Sequence, residues 1–343
     1  MAGTALRLPT SAALLATLAL PLAAQRPGDR LLVCNKSADT VSVFDVVSRA
    51  EVATLPTGAA PHEVAVSPDG CTAVVTNYGR QRAGRTLTVV DVRAGEVRST
   101  VELAPAPAPA PRPHGVAFAA EDLIWVTAEA TRQLLQVDLR RGAVVRARPT
   151  GDHALHLLAC TGGQLAATSP TTGVVAYVGA EPDQTVYAAV HAGAAGIAVH
   201  PRTGAAWVAD RLADTVSIVS PATGEVTRRL DTGRAPRRVA FTPGGRRALV
   251  TCVTSGELMV FDARTGALLG EVSIHGDRSE QSSLPLDVAC GADGRRAYVT
   301  CARGEFVAVV DLQKVEVVDR IDARPGPDGV AYARPSTAKD EAP

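Results

Sequence analysis

Pro61-His62-Glu63-Val64-Ala65-Val66-Ser67-Pro68-Asp69-Gly70, followed by Val74-Val75-Thr76-Asn77, is one copy of a phrase that returns along the whole chain. Another clear copy is Pro236-Arg237-Arg238-Val239-Ala240-Phe241-Thr242-Pro243-Gly244-Gly245 with Leu249-Val250-Thr251-Cys252. Most copies open on a proline and an apolar run, turn at a Pro-Asp-Gly-like element, resume in a β-branched run, and close on a third run. The closing position falls at Asp45, Asp91, Asp138, Gly179, Ser220, Asp262 and Asp311, so the unit recurs every 41 to 49 residues. Self-similarity at such a period marks a repeat architecture. Four short β-branched runs per unit, separated by Gly, Pro, Asp or Thr-Gly, read as a four-stranded antiparallel meander. One such sheet cannot bury both faces alone, whereas seven packed around an axis can. The expected fold is therefore all-β: a seven-bladed propeller of four-stranded antiparallel blades, spanning residues 25–334.

The ends of the chain predict how the ring closes. The first unit starts late, at Leu31-Leu32-Val33-Cys34-Asn35, and lacks the proline-led strand that opens the others. That strand sits at the far end, as Pro327-Asp328-Gly329-Val330-Ala331-Tyr332, and is expected to pair with the N-terminal blade. Residues 1–24 carry Arg7, an apolar run from Leu14 to Leu20 and a small-residue end at Ala23-Ala24. This pattern reads as a signal peptide, too short for a membrane span. An exported protein, periplasmic or extracellular, soluble and monomeric, is the expectation. The polar stretch 335–343 reads as a disordered tail.

Lys plus Arg and Asp plus Glu are equal at 35 each, and aromatics make up 3% of residues, so neither a cationic footprint nor a base-stacking platform is visible. The six cysteines scatter over five units, and Cys252 and Cys301 share a column in neighbouring blades, too far apart for a bridge. Free thiols are expected.

With the repeats written out, Val74-Val75-Thr76-Asn77, Tyr298-Val299-Thr300-Cys301, Thr40-Val41-Ser42-Val43-Phe44-Asp45 and the Pro-x-x-Val-Ala elements give the chain its family likeness. It resembles the YVTN-type, or YncE-like, seven-bladed propellers. The resemblance runs from about residue 31 to 334 and is specific for fold, because the repeated residues are those that build blades. It also implies a lactonase- or lyase-like enzyme as one functional alternative, and single-stranded nucleic-acid binding as another. The balanced charge and few aromatics make nucleic acid the weakest of these.

Loop lengths vary in three places, all on one face: around Arg80, Arg82 and Arg85, in the Pro-rich run Ala104 to Pro113 with Arg112, and between Ile274 and Leu284. Loops on a rigid scaffold carry binding more often than blades do. The same face holds one position per blade at the channel mouth, read as Asp328, His62, His114, Leu155, Ala195, Arg237 and Leu286, with Glu63, His156, Arg238 and Asp287 in the next column and Asn77 at a strand end. His62, His114 and Asp328 are of the type that hold a divalent metal. Arg237 and the loop arginines suit an anion. No nucleophile motif or phosphate-cradling glycine loop occurs. The preferred reading is a binding or scaffold protein that engages a protein partner or an anionic small ligand at this mouth, without an obligatory cofactor.

Overall fold

The computed structural model describes residues 25–179, 184–275 and 282–337. The stretch 1–24 read as a signal peptide, the end of the stretch read as a tail from 338, and the middle of the third long loop at 276–281 lie outside these residues. The described chain forms 28 strands in seven four-stranded antiparallel sheets, arranged as a ring. In blade two the strands run from the channel outward as Pro61–Val66, Thr72–Gly79, Ala83–Asp91 and Glu96–Glu102. The second strand is buried almost throughout because neighbouring blades cover both its faces, and the outermost strand is mostly exposed. No helix among the described residues is long and apolar enough to cross a membrane.

The recurrent closing Asp has a structural task. Asp91 Oδ1 accepts backbone N–H bonds from Arg93 at 3.0 Å and Ala94 at 2.9 Å, and Asp45, Asp262 and Asp311 do the same two and three residues on. These are Asx turns, and Gly95 completes its turn at a φ of 65° that glycine adopts without steric cost.

The threonine of the repeat stitches blade to blade. Thr76 Oγ1 accepts from the N–H of Glu63 at 3.0 Å within its own blade and donates to the carbonyl of His114 in the next at 2.8 Å. Thr127 donates likewise to His156, Thr168 to Ala195, Thr251 to Leu286 and Thr300 to Asp328. Each acceptor is the mouth position of the following blade. Where the blades approach most closely glycine is required: a Cβ on Gly115 would stand 2.7 Å from the His156 carbonyl, and one on Gly329 would stand 2.3 Å from that of His62.

The ring closes as the displaced strand predicted. Pro327–Ala333 pairs antiparallel with Arg30–Asn35, with Leu31 opposite Tyr332 and Val33 opposite Val330. A polar latch reinforces this seam: Arg334 donates to both oxygens of the fully buried Asp29, at 3.0 and 2.6 Å, and Tyr332 donates to Oδ2 at 2.5 Å. The stretch read as tail begins tied down, since the Pro335 carbonyl accepts from Arg26 at 3.1 Å and Ser336 N–H donates to Asp69 O at 2.7 Å. All six cysteines are free, with Cys34, Cys252 and Cys301 buried.

Candidate functional site

Each proline-led inner strand carries a register shift just after its proline, as between Pro61 and Val64, Pro113 and Val116, and Pro285 and Val288. Such a bulge re-aims side chains. It brings the mouth residue and the residue after it into the channel, so two columns that alternate on a regular strand converge here.

The upper layer is a row of three imidazoles. The rings of His62 and His114 have centroids 4.5 Å apart, and those of His114 and His156 are 4.6 Å apart. His156, not Leu155, is the mouth residue of blade four, because its carbonyl takes the Thr127 hydroxyl as His114 takes that of Thr76. Blade four has lost its opening proline, and without that anchor the register read from sequence was one residue short. Leu155 instead packs in a core cluster with Trp125 and Leu134.

Glu129 faces the row. Its Oε2 lies 2.9 Å from His114 Nδ1 and 3.6 Å from His156 Nε2, and it accepts from Tyr78 Oη at 3.1 Å. Tyr78 packs edge-on against His62 and His114, and the Arg112 guanidinium sits 5.0 Å above its ring. Burial pushes His114 down to about 3, helped by His62, and also lowers His156. Burial would raise Glu129, yet the hydrogen bond from His114 and the charge of His156 outweigh it and hold the carboxyl at about 2. At neutral pH His114 and His156 are thus neutral imidazoles beside an ionised Glu129 carboxylate.

A second, deeper layer is a buried charge network. Arg238 donates to both oxygens of Glu63 at 2.6 and 2.7 Å, and its Nε lies 2.6 Å from Asp287 Oδ1. Burial lifts Asp287 to about 6, with Arg238 opposing. Glu63 is held well below the usual carboxylate range, since Arg238 overcomes the cost of its burial. Asp328 takes Lys36 Nζ at 2.9 Å, with His62 Nδ1 at 3.5 Å and Arg237 at 3.6 Å.

The predicted residues therefore divide. His62, His114, Arg237 and Asp328 converge at the mouth, and Asp287 lies in the charge layer behind it. The expected metal set of His62, His114 and Asp328 is not one of the groups with metal-ligand spacing. Among the described residues the groups with metal-ligand spacing are His62, Glu63 and His114, and His114, Glu129 and His156. Asn77 turns into its blade and donates to Thr86 at 2.9 Å and Thr88 at 3.1 Å, as Asn35 does to Thr40 and Ser42. Arg80 ties the blade-two loop to Asp39 at 2.8 Å, and Arg85 braces the Pro-rich run through the carbonyl of Ala104 at 2.6 Å. Arg82 is exposed.

Glu129, Tyr78 and Arg211 were not singled out by the sequence, although a signal existed. They occupy one column, the residue after Asn77, Ala128 and Asp210 at the end of the repeat's second strand, where each backbone N–H donates to the carbonyl just before the first strand of its own blade: Tyr78 to Ala60, Glu129 to Arg112 and Arg211 to Gly193. Reading that column beside the mouth column finds the polar wall. A cleft of about 180 Å³ opens here, lined by His62, His114, His156, Arg211 and Arg237.

Residues 170–276, from the outer half of blade four through blade six, match the family model described as YNCE-like beta-propeller. That stretch is similar to a YNCE-like beta-propeller, and the ring of seven blades runs through the whole described chain. Solved structures repeat its ring at low identity. A functionally unknown protein from Desulfotomaculum acetoxidans DSM 771 superposes with a TM-score of 0.74 at 13% identity, covering 90% of this chain and 99% of that one. Apo AztD from Citrobacter koseri gives 0.66 at 14% identity over 89% and 97%, and a streptogramin B lyase gives 0.66 at 12% over 80% and 87%. At such identities the chain shares with them its fold alone. No curated protein matches the chain.

Proposed function

We propose that this chain is an exported binding protein that takes a small anionic ligand at the channel mouth. The observation that carries the reading is the cleft of about 180 Å³ in which two guanidiniums, Arg211 and Arg237, face three histidine rings. Guanidinium groups bind carboxylate and phosphate by paired, charge-assisted bonds. The cleft sits on the face where the loop insertions cluster, and the threonine stitches hold its walls rigid, which limits the entropy lost on binding. Export is supported by the leader-like pattern of residues 1–24.

Calorimetric titration of the folded chain with inorganic phosphate and with succinate tests this. One of them is expected to bind at one site per chain, and Arg211→Ala with Arg237→Ala is expected to weaken it at least tenfold, the loss of roughly one charge-assisted bond. Binding of neither anion at millimolar concentration, or unchanged binding by the double variant, would overturn the reading.

A lyase- or lactonase-like enzyme is the second reading, favoured by one observation. His156, 26% exposed and held neutral beside Glu129, is placed to accept a proton from a substrate in the cleft. Turnover of lactone substrates that disappears in His156→Ala would put this reading first.

A further inference from the structure

We propose that His114, Glu129 and His156 form a binding site for a divalent transition-metal ion, with its remaining coordination position open to the mouth cleft. The inference rests on the mouth being the ligand-binding face, and it names a second component there. The spacing is the first argument. A tetrahedral ion with ligand atoms about 2.0–2.1 Å away requires those atoms to stand about 3.3 Å from one another. Glu129 Oε2 stands 2.9 Å from His114 Nδ1 and 3.6 Å from His156 Nε2, which brackets that edge. All three ligand atoms lie within 4.8 Å of one another.

Support behind the ligands is the second argument. Tyr78 Oη donates to Glu129 at 3.1 Å and fixes the carboxylate, while Thr76 and Thr127 fix the backbone of His114 and His156 from the preceding blades. Ligands held in this way are pre-organised. For His114 Nδ1 to bind an ion, its proton moves to Nε2; the ring stays neutral and no proton is released.

The alternative group of His62, Glu63 and His114 is ruled out by prior engagement. Both Glu63 oxygens already accept from Arg238, at 2.6 and 2.7 Å, and its side chain is only 10% exposed. Glu129 is 20% exposed and His156 26%, so an ion between them has a path from solvent and a free position on the cleft side. Two imidazoles and a carboxylate suit zinc, cobalt or nickel, whereas calcium and magnesium require all-oxygen shells and copper(I) prefers sulfur. Arg211 and Arg237 line the same cleft, so an anion completing the metal's coordination would meet a guanidinium at its other end.

Titration of the untagged, chelator-treated chain with Co2+, followed by its visible absorption, is the test. One equivalent is expected to bind with the intense bands of low-coordinate cobalt and to be displaced by Zn2+. Glu129→Gln and His156→Ala are each expected to weaken Co2+ binding more than tenfold, Tyr78→Phe by about 10- to 100-fold as an outer-sphere partner, and His153→Ala not at all, since the His153 ring bonds the Thr172 hydroxyl at 2.8 Å outside the cluster. Glu129→Gln is a near-isostere at a partly exposed position, so it folds and keeps the test decisive; circular dichroism checks this. Failure of folded wild type to bind Co2+ or Zn2+ below millimolar concentration overturns the proposal, as does wild-type affinity in Glu129→Gln. Should phosphate or succinate bind the metal-free chain while metal does not, this proposal falls and the anion reading stands. Metal binding with no anion binding reverses that outcome.

Discussion

Thr76 in blade two donates its hydroxyl hydrogen to the carbonyl of His114 in blade three, 2.8 Å away, while accepting from the N–H of Glu63. A single hydroxyl thus satisfies two buried backbone groups and sets the height of one mouth residue against the previous blade. Thr76→Val keeps the shape and removes both bonds. A loss of about 1–3 kcal/mol is expected, the cost of leaving buried polar groups unpaired, read from urea unfolding. Metal affinity in the same variant should fall as His114 loses its fixed position, and a fully wild-type urea midpoint would show that water replaces the hydroxyl.

The Asp29 latch makes ring closure dependent on pH. Burial would raise the Asp29 carboxyl, but its hydrogen bonds from Arg334 and Tyr332 and the Arg334 charge hold it below its ordinary value of 3.8. A carboxyl depressed in the folded state contributes stability that is complete above its unfolded pKa and is lost as pH falls through the folded one. The wild type is therefore expected to lose this contribution only below about pH 4. Arg334→Ala should cost about 1.5–3 kcal/mol at pH 7, the range for hydrogen bonds to a charged group, and the difference from wild type should shrink toward pH 2. A difference that is flat with pH would mean Arg334 acts through packing alone.

The architecture was legible because the repeat states it many times over: the Asx turns at Asp45, Asp91, Asp262 and Asp311 and the threonine stitches each recur with the period. The displaced strand at Pro327 gave the closure for the same reason. The site was legible only in part, since it is built where the repeat is broken. His156 sits in one of the two blades without an opening proline, blade five opening on Ala194, and Glu129 belongs to a column whose members, Lys36, Tyr78, Glu129 and Arg211, share no residue type. Side-chain identity there is free of blade packing, so periodicity carries no information about it. Asn77 shows the converse: a polar residue near the mouth that packing explains in full.

The thiols provide a check on the register. Burial pushes Cys252, Cys290 and Cys301 up to about 12, so none of them offers appreciable thiolate at pH 8. Native protein treated with a disulfide reagent at that pH is expected to label slowly at these three positions. All six cysteines should react promptly in denaturant without reductant. Recovery of four thiols or fewer would contradict the free state of the cysteines.

Arg238 carries the heaviest burden of any side chain in the channel. It pairs with Glu63 through two hydrogen bonds and with Asp287 through a 2.6 Å contact, one positive charge shared between two carboxyl groups, and all three side chains are buried. Removing one member of such a network leaves uncompensated charge in a medium of low polarity, which costs about 3–5 kcal/mol. Arg238→Ala is therefore expected to unfold at markedly lower urea concentration at pH 7. The stranded carboxylates can escape the penalty by taking up protons, so the variant should recover stability relative to wild type as pH falls from 7 toward 5, and urea midpoints at the two pH values measure this. A deficit equal at both would show that the guanidinium is needed for its shape and hydrogen bonds and not to balance the charge of Glu63 and Asp287.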